Sequence, residues 1–270
     1  MALAKDLSSL PSSSSGHGEN PVKKPTLGPL LAQAWADRYV DTPEHPLDLP
    51  MSDASARVRF SWAGSCGRQI GYRLTGEPVT EDLTVADHWR FGLGHLVHDQ
   101  LQAVLQAAFG SNAQVEVHTK LEGGMLAGHA DVEIAEAGRV NDGVGWTKRT
   151  SVEIKTINGF GFKKAVGARG PAEGPRTSAK LQGALNAKAS DADELVILYL
   201  ALELLSPREA KNIGADEVGR FCAEWHYTRD EYMPWADAEH ERLLNVIATV
   251  DAGGMPPAFI PFEMPEGAVV

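Results

Sequence analysis

The chain has 270 residues, 43% of them hydrophobic and 23% charged, ordinary globular usage with room for one sizeable core. Its formal charge of -11 at pH 7 excludes a surface that is basic all over, so a phosphate-bearing partner must meet positive charge concentrated locally. Two cysteines, Cys66 and Cys222, exclude a disulfide framework and a four-thiolate iron–sulfur cluster, and they fit a reducing compartment.

Residues 8–26 are rich in Ser, Pro and Gly and read as disordered; 1–50 as a whole is expected to be a tail and linker, with one helix at 28–40 from the spacing of Leu30 to Tyr39. No signal-peptide core stands at the N-terminus, and the longest apolar run, 195–202, is too short for a bilayer. The expectation is a soluble cytoplasmic protein with no membrane partner and a single domain over 51–270. Leu93, Leu96, Val97, Leu101, Val104 and Leu105 form a helical stripe over 86–109 that stops at Gly110. Alternation then predicts strands at 114–119 and 125–135. Asn141-Asp142-Gly143 marks a turn before a third strand at 150–157. The Gly-rich, basic stretch 158–176 reads as a long loop. A helix at 178–189, with Ser178 as its cap, follows. Strands at 194–204 and 220–228 and a closing helix at 235–250 complete one α/β domain with a mixed sheet.

Little of this points at chemistry, with one exception. Asp131 ends the small-residue entry Gly128-His129-Ala130, and Glu153-Ile154-Lys155 lies in the next strand. If the two strands are neighbours, two carboxylates and an ammonium converge. Glu153 and Lys155 leave one face of their strand and Ile154 the other. Hard oxygens suit a divalent cation, and the ammonium can orient water or counter the charge that develops on a phosphate. A Glu-x-Lys triplet alone arises about once in a chain of this length, so its company decides its meaning. His98, in Gly94-His95-Leu96-Val97-His98, sits at the edge of the buried helical face; His95, His118 and His129 compete with it as ligands. Gln182, on the helix after the loop, is either a solvated amide or a group that holds the lysine or the substrate backbone.

In this order the motifs resemble the RecB-like branch of the PD-(D/E)XK nuclease superfamily, and within it the phage and CRISPR-associated RecB-like exonucleases. Its Gly-x-x-x-His helix matches Gly94 to His98, its Gly-x-x-Asp strand Gly128 to Asp131, its acid-x-Lys strand Glu153 to Lys155, and its Gln-x-x-x-Tyr helix Gln182 to Asn186. An earlier Cys, Arg and Tyr segment matches Cys66, Arg68 and Tyr72. The resemblance implies a restriction-endonuclease-like fold, a mixed central sheet flanked by helices. It implies that His98, Asp131, Glu153 and the Ile154 carbonyl bind Mg2+ or Mn2+, with Glu116 as an additional acid. Asp131, Glu153, Lys155 and Gln182 would form the catalytic set. Asn186 departs from the family's tyrosine, and the later cysteines of iron–sulfur relatives are missing but for Cys222.

Between residues 148 and 180 eight basic residues face two acids, about +6 on an acidic chain. Lys163, Lys164, Arg169, Arg176 and Lys180 are the expected DNA contacts, and Phe160 and Phe162 could stack on unpaired bases. No base-reading helix is present, so little sequence specificity is expected. The expected function is a metal-dependent DNA exonuclease acting on ends or single strands in phage recombination, DNA processing or repair, in a bacterial host cell if phage-encoded. Its rivals are a structure-directed endonuclease and a catalytically weak nucleic-acid-binding protein. A homo-oligomer or a recombination partner protein stays open.

Overall fold

Alternating and helical hydrophobic patterns succeed each other along the chain, and the long ones fold as their periods dictate. The computed structural model describes residues 56–78, 83–135, 148–168, 170–202 and 222–258. The expected tail, linker and 28–40 helix, the Asn141-Asp142-Gly143 turn and Arg169 lie outside the described residues. The elements are β1 (Val58–Arg59), α1 (Gly67–Thr75), α2 (Val85–Phe109), β2 (Ala113–Leu121), β3 (Leu126–Ile134), β4 (Thr150–Ile157), α3 (Gly159–Ala165), α4 (Thr177–Ala189), β5 (Glu194–Ala201), β6 (Cys222–Thr228) and α5 (Arg229–Asp251). They form a mixed central sheet flanked by helices, as the sequence led us to expect. No described helix is long and apolar enough to cross a membrane.

The register of the sheet creates the opening that the site occupies. β2 runs antiparallel along β3 from Leu121↔Leu126 to Ala113↔Ile134, so it covers one edge of β3. The other edge is shared. β1 pairs in parallel with Leu126 and Ala127, whereas β4 pairs antiparallel only with Val132, Glu133 and Ile134. The stretch between, Gly128 to Asp131, has no strand partner on that edge among the described residues. β4 continues in parallel along the whole of β5, and β6 closes the sheet antiparallel to β5.

Two apolar layers cover the sheet. Val152, Ile154 and Val196 pack with Val132 and Ile134 against Leu101, Leu105 and Phe109 of α2. On the opposite face Leu195, Ile197 and Tyr199 join Leu181, Leu185, Trp235 and Leu243 of α4 and α5. A Thr84–Asp87 capping box starts α2 and Gly110 ends it. The buried row of α2 is narrower than the sequence stripe: Leu101, Gln102 and Leu105 turn inward, whereas Leu96 and Val104 are 54% and 62% exposed. Residues 96 and 104 fall outside the i, i+3, i+4 row that meets the sheet.

Three further boundaries differ from the sequence reading. The expected loop 158–176 contains α3, because the Asn158 side chain accepts a hydrogen bond from the Gly161 amide at 2.8 Å while Phe162 and Ala165 are buried. Its two glycines, each costing about 1 kcal/mol in a helix, concealed it. Ser178 is not the cap of α4: Arg176 holds that position without a side-chain cap bond. α5 begins six residues before the expected start, because Thr228 and Glu231 form a capping box that sets the first turn despite Pro234.

Candidate active site

The site begins where the β3–β4 ladder stops. Beyond Val132↔Val152 the strands part, and Asp131 reaches across with its side chain instead of its backbone: Oδ2 accepts from the Ile154 amide at 2.5 Å. The carboxylate thus takes the place of a ladder carbonyl and is anchored within one residue of Glu153. Close approach here depends on two glycines. A Cβ on Gly128 would stand 2.7 Å from Phe60, and one on Gly183 would stand 2.9 Å from Leu195 and 3.2 Å from the Glu153 Cβ. The first lets β3 pass the turn after β1, and the second lets α4 lie against β4.

Glu153 is 1% exposed. Its Oε1 is held by the Lys155 ammonium in an ion pair, 2.5 Å from Nζ, and its Oε2 accepts from Asn186 Nδ2 at 3.3 Å. Burial pushes the Glu153 carboxyl up to about 7, Lys155 pulls it back and Asp131 adds to the rise. Burial works against the Lys155 ammonium as well, but Glu153 and Asp131 outweigh it and hold the group above its ordinary value. Lys155 is 34% exposed and also donates to Gln182 Oε1 at 3.2 Å. Of the two readings open for Gln182, contact with the lysine is the one the geometry contains.

His98 is the imidazole that faces Asp131, with Nδ1 3.7 Å from Oδ1. Burial disfavours its charged form, and the Asp131 carboxylate more than offsets this, so the imidazole is held above its ordinary value. His95 and His129 line the same cleft, whereas His118 pairs across the strands with His129, ring centroids 5.1 Å apart. Burial, then His118, keep His129 below its ordinary value. The cleft measures about 370 Å³ and is also bounded by Arg59, Glu116, Asp131, Lys155 and Gln182. Glu116 stands between the Val115↔Val132 and Val117↔Ala130 pairs, at φ 49°, and its Oε1 accepts from Gln102 Nε2 at 2.5 Å. Gln102, 6% exposed, donates to the Asp131 carbonyl as well. Sequence reasoning missed it. Its signal was its place one helical turn after His98 on a row that otherwise buries leucines.

The expected DNA contacts divide. Lys164 and Arg176 are exposed around a second cleft of about 250 Å³ between α3 and the start of α4, where Phe160 is 58% exposed, and Lys163 is exposed elsewhere on α3. Lys164 pairs with Glu173 at 2.9 Å. Phe162 is core instead of a stacking platform. Lys180 is a correction. It is 7% exposed, with Nζ 5.8 Å from the centre of the Tyr227 ring and 5.4 Å from that of Trp235. Burial lowers its pKa. The i, i+3 rise of α4 turns it inward, where aromatic faces take the role of a counter-charge, so it does not present charge to phosphate. The Cys66 segment forms α1 and lies apart from the site: Cys66 Sγ donates to the Ala258 carbonyl, and Ile70 is buried.

Among the described residues no group of three His, Cys, Asp or Glu side chains is placed to hold a metal ion. The donors nevertheless fit a hard cation. Asp131 Oδ1, facing His98 at 3.7 Å, is left over once Oδ2 binds Ile154, and Glu153 Oε1 is met by the Lys155 ammonium alone. A positive charge already stands against that oxygen.

No family model matches the sequence, and no curated protein does. Among solved structures the fold is similar to SSO0001, at 16% identity and TM-score 0.44, covering 81% of this chain and 87% of that one. It is also similar to LHK-Exo in complex with dAMP, at 14% identity and TM-score 0.43, covering 73% of this chain and 93% of that one. A structure of the alkaline exonuclease LHK-Exo from Laribacter hongkongensis matches at 11% identity and TM-score 0.42, covering 82% and 97%.

Proposed function

We propose that the protein is a metal-dependent deoxyribonuclease of the PD-(D/E)XK type, acting as an exonuclease on DNA ends or single strands in recombination, processing or repair. The observation that carries this reading is the buried Glu153 carboxylate ion-paired to Lys155, next to the anchored Asp131, with Asp131 and Lys155 both lining an open cleft. Burying a carboxylate beside a second acid is costly to a fold, and such positions concentrate where chemistry is done.

Asp131, Glu153, the Ile154 carbonyl and His98 would hold Mg2+ or Mn2+, and Glu116, tied to Gln102, would be an additional acid at the rim. Bound there, the cation would supply a hydroxide near pH 7 and neutralise the scissile phosphate. Lys155 remains an ammonium, so it donates to water or phosphate oxygen and is not the proton acceptor. Gln182 keeps it aimed into the cleft. Lys163, Lys164 and Arg176 would neutralise phosphates of the strand leaving the cleft, with Phe160 available for a base. Contacts of this kind read backbone, not sequence.

The test uses end-labelled linear and closed circular DNA with Mg2+, Mn2+ or chelator. Loss of label from linear DNA alone, abolished by chelator and by Glu153→Gln, is expected. Nicked circles would move the assignment to an endonuclease. Binding with no cleavage under any metal would leave a nucleic-acid-binding protein.

A further inference from the structure

Asn186 stands on α4, one helical turn after Gln182, and is 1% exposed. Its amide is used from both ends, and its partners come from three different strands. Oδ1 accepts from Thr119 Oγ1 of β2 at 2.7 Å. Nδ2 donates to the His129 carbonyl of β3 at 3.1 Å and to Glu153 Oε2 of β4 at 3.3 Å. A primary amide has two N–H donors and a carbonyl, so this contact set consumes both N–H groups and fixes which end of the amide faces Glu153. The His129 carbonyl and the Glu153 carboxylate determine that orientation, because the flipped amide would turn a carbonyl onto both, and the Thr119 hydroxyl, 4% exposed, completes it by donating to Oδ1.

We propose that Asn186 is a positioning residue for Glu153. It ties down Oε2 with a neutral donor and leaves Oε1 directed to Lys155, which lines the cleft. The inference rests on the nuclease reading and deepens it, assigning to a buried amide the orientation of a metal-binding carboxylate. An amide suits the place because it donates without bringing charge. A second cation at Oε2 would compete with a metal for the carboxylate, and a second carboxylate would repel it. Residues that orient a ligand in this way typically change metal affinity or activity about 10- to 100-fold when removed.

The test is calorimetric titration of the metal-free protein with Mn2+, alongside kcat and KM on linear DNA. Asn186→Ala is expected to weaken Mn2+ binding at least 10-fold and to lower kcat, with KM for DNA within two-fold of the parent. Asn186→Asp, of the same shape with a carboxylate facing Glu153, is expected to alter Mn2+ binding by a similar factor and to lower kcat further. Thr119→Val, which removes only the hydroxyl that donates to the amide carbonyl and so loosens the side chain, is expected to move Mn2+ affinity and kcat in the direction of Asn186→Ala by a smaller factor, and it keeps the question answerable if the Asn186 variants fail to fold. Mn2+ affinity and kcat within two-fold of the parent in a folded Asn186→Ala, or in Thr119→Val, would overturn the positioning role while leaving the nuclease intact. If the parent neither binds Mn2+ nor cleaves DNA, the nuclease reading falls and this proposal with it.

Discussion

Two buried carboxylates in this fold have opposite fates. Glu239 of α5 is 0% exposed and fully bonded: Oε1 accepts from the Gly64 amide at 2.8 Å, and both oxygens accept from Arg242 at 2.6 Å. Glu153 is as deeply buried, yet one oxygen has only a long bond from Asn186 and the other is met by the Lys155 ammonium alone. The first arrangement is that of a charge kept for structure, with its desolvation offset by a bidentate partner and a backbone donor. In the second, the surroundings hold the carboxylate but leave it unfinished. Burial depth alone does not separate the two; the number of satisfied lone pairs does.

The comparison can be broken by exchanging what each glutamate loses. Glu153→Gln is expected to lower cleavage about a thousand-fold or more while the melting temperature falls only slightly, because the amide keeps the side chain's shape and Lys155, one-third exposed, keeps Gln182 and solvent as partners. A large fall in melting temperature with unchanged cleavage would place Glu153 beside Glu239 as a structural residue. Glu239→Ala is expected to do the reverse. It strands the Arg242 guanidinium, 10% exposed, and should cost about 3–5 kcal/mol in denaturant unfolding, with kcat per folded molecule unchanged.

A smaller effect sharpens the same contrast through pH. The folded-state value of Glu153, about 7, lies above the ordinary 4.5, so its contribution to the stability of the metal-free protein is full below 4.5 and is lost as pH rises through about 7. His98, also held above its ordinary value, acts in the same direction from 6.5 upward. Melting temperature should therefore fall over this window, and Glu153→Gln should flatten the slope. Mn2+ affinity should rise over the same window, because binding must displace a proton.

The smallest effect concerns the lysines. Lys164→Ala is expected to weaken DNA binding mildly and to reduce its dependence on log salt by about one unit, whereas Lys180→Met should leave both unchanged. Fluorescence anisotropy across a salt series reads the difference. Equal losses from the two would show that Lys180 leaves its aromatic seat to meet DNA.

Much of this architecture was legible from local pattern. β4 begins and ends where its alternation does, α2 ends at Gly110, and Asp131, Glu153 and Lys155 meet as neighbouring strands require. Illegible were the residues whose roles depend on distant partners. Gln102 and Thr119 look like solvent-facing polar residues until β2, β3 and α2 close around them. Lys180 counts as a basic-loop residue in sequence and becomes an aromatic-caged one because α4 presents that turn to Tyr227 and Trp235.

By itself the sequence determined the longer strands and helices, the two carboxylates, the lysine and their order, but not α3, since hydrophobic period and residue chemistry are local properties. Only the tertiary structure decided which imidazole meets Asp131, that the ladder parts after Val132, and that Asn186 binds Glu153. These depend on register and on the crossing of α4 over the sheet, where contacts join residues as much as 67 positions apart, as Thr119 and Asn186 are. No local pattern encodes such a distance; it follows only when the two hydrophobic faces of the sheet are both covered.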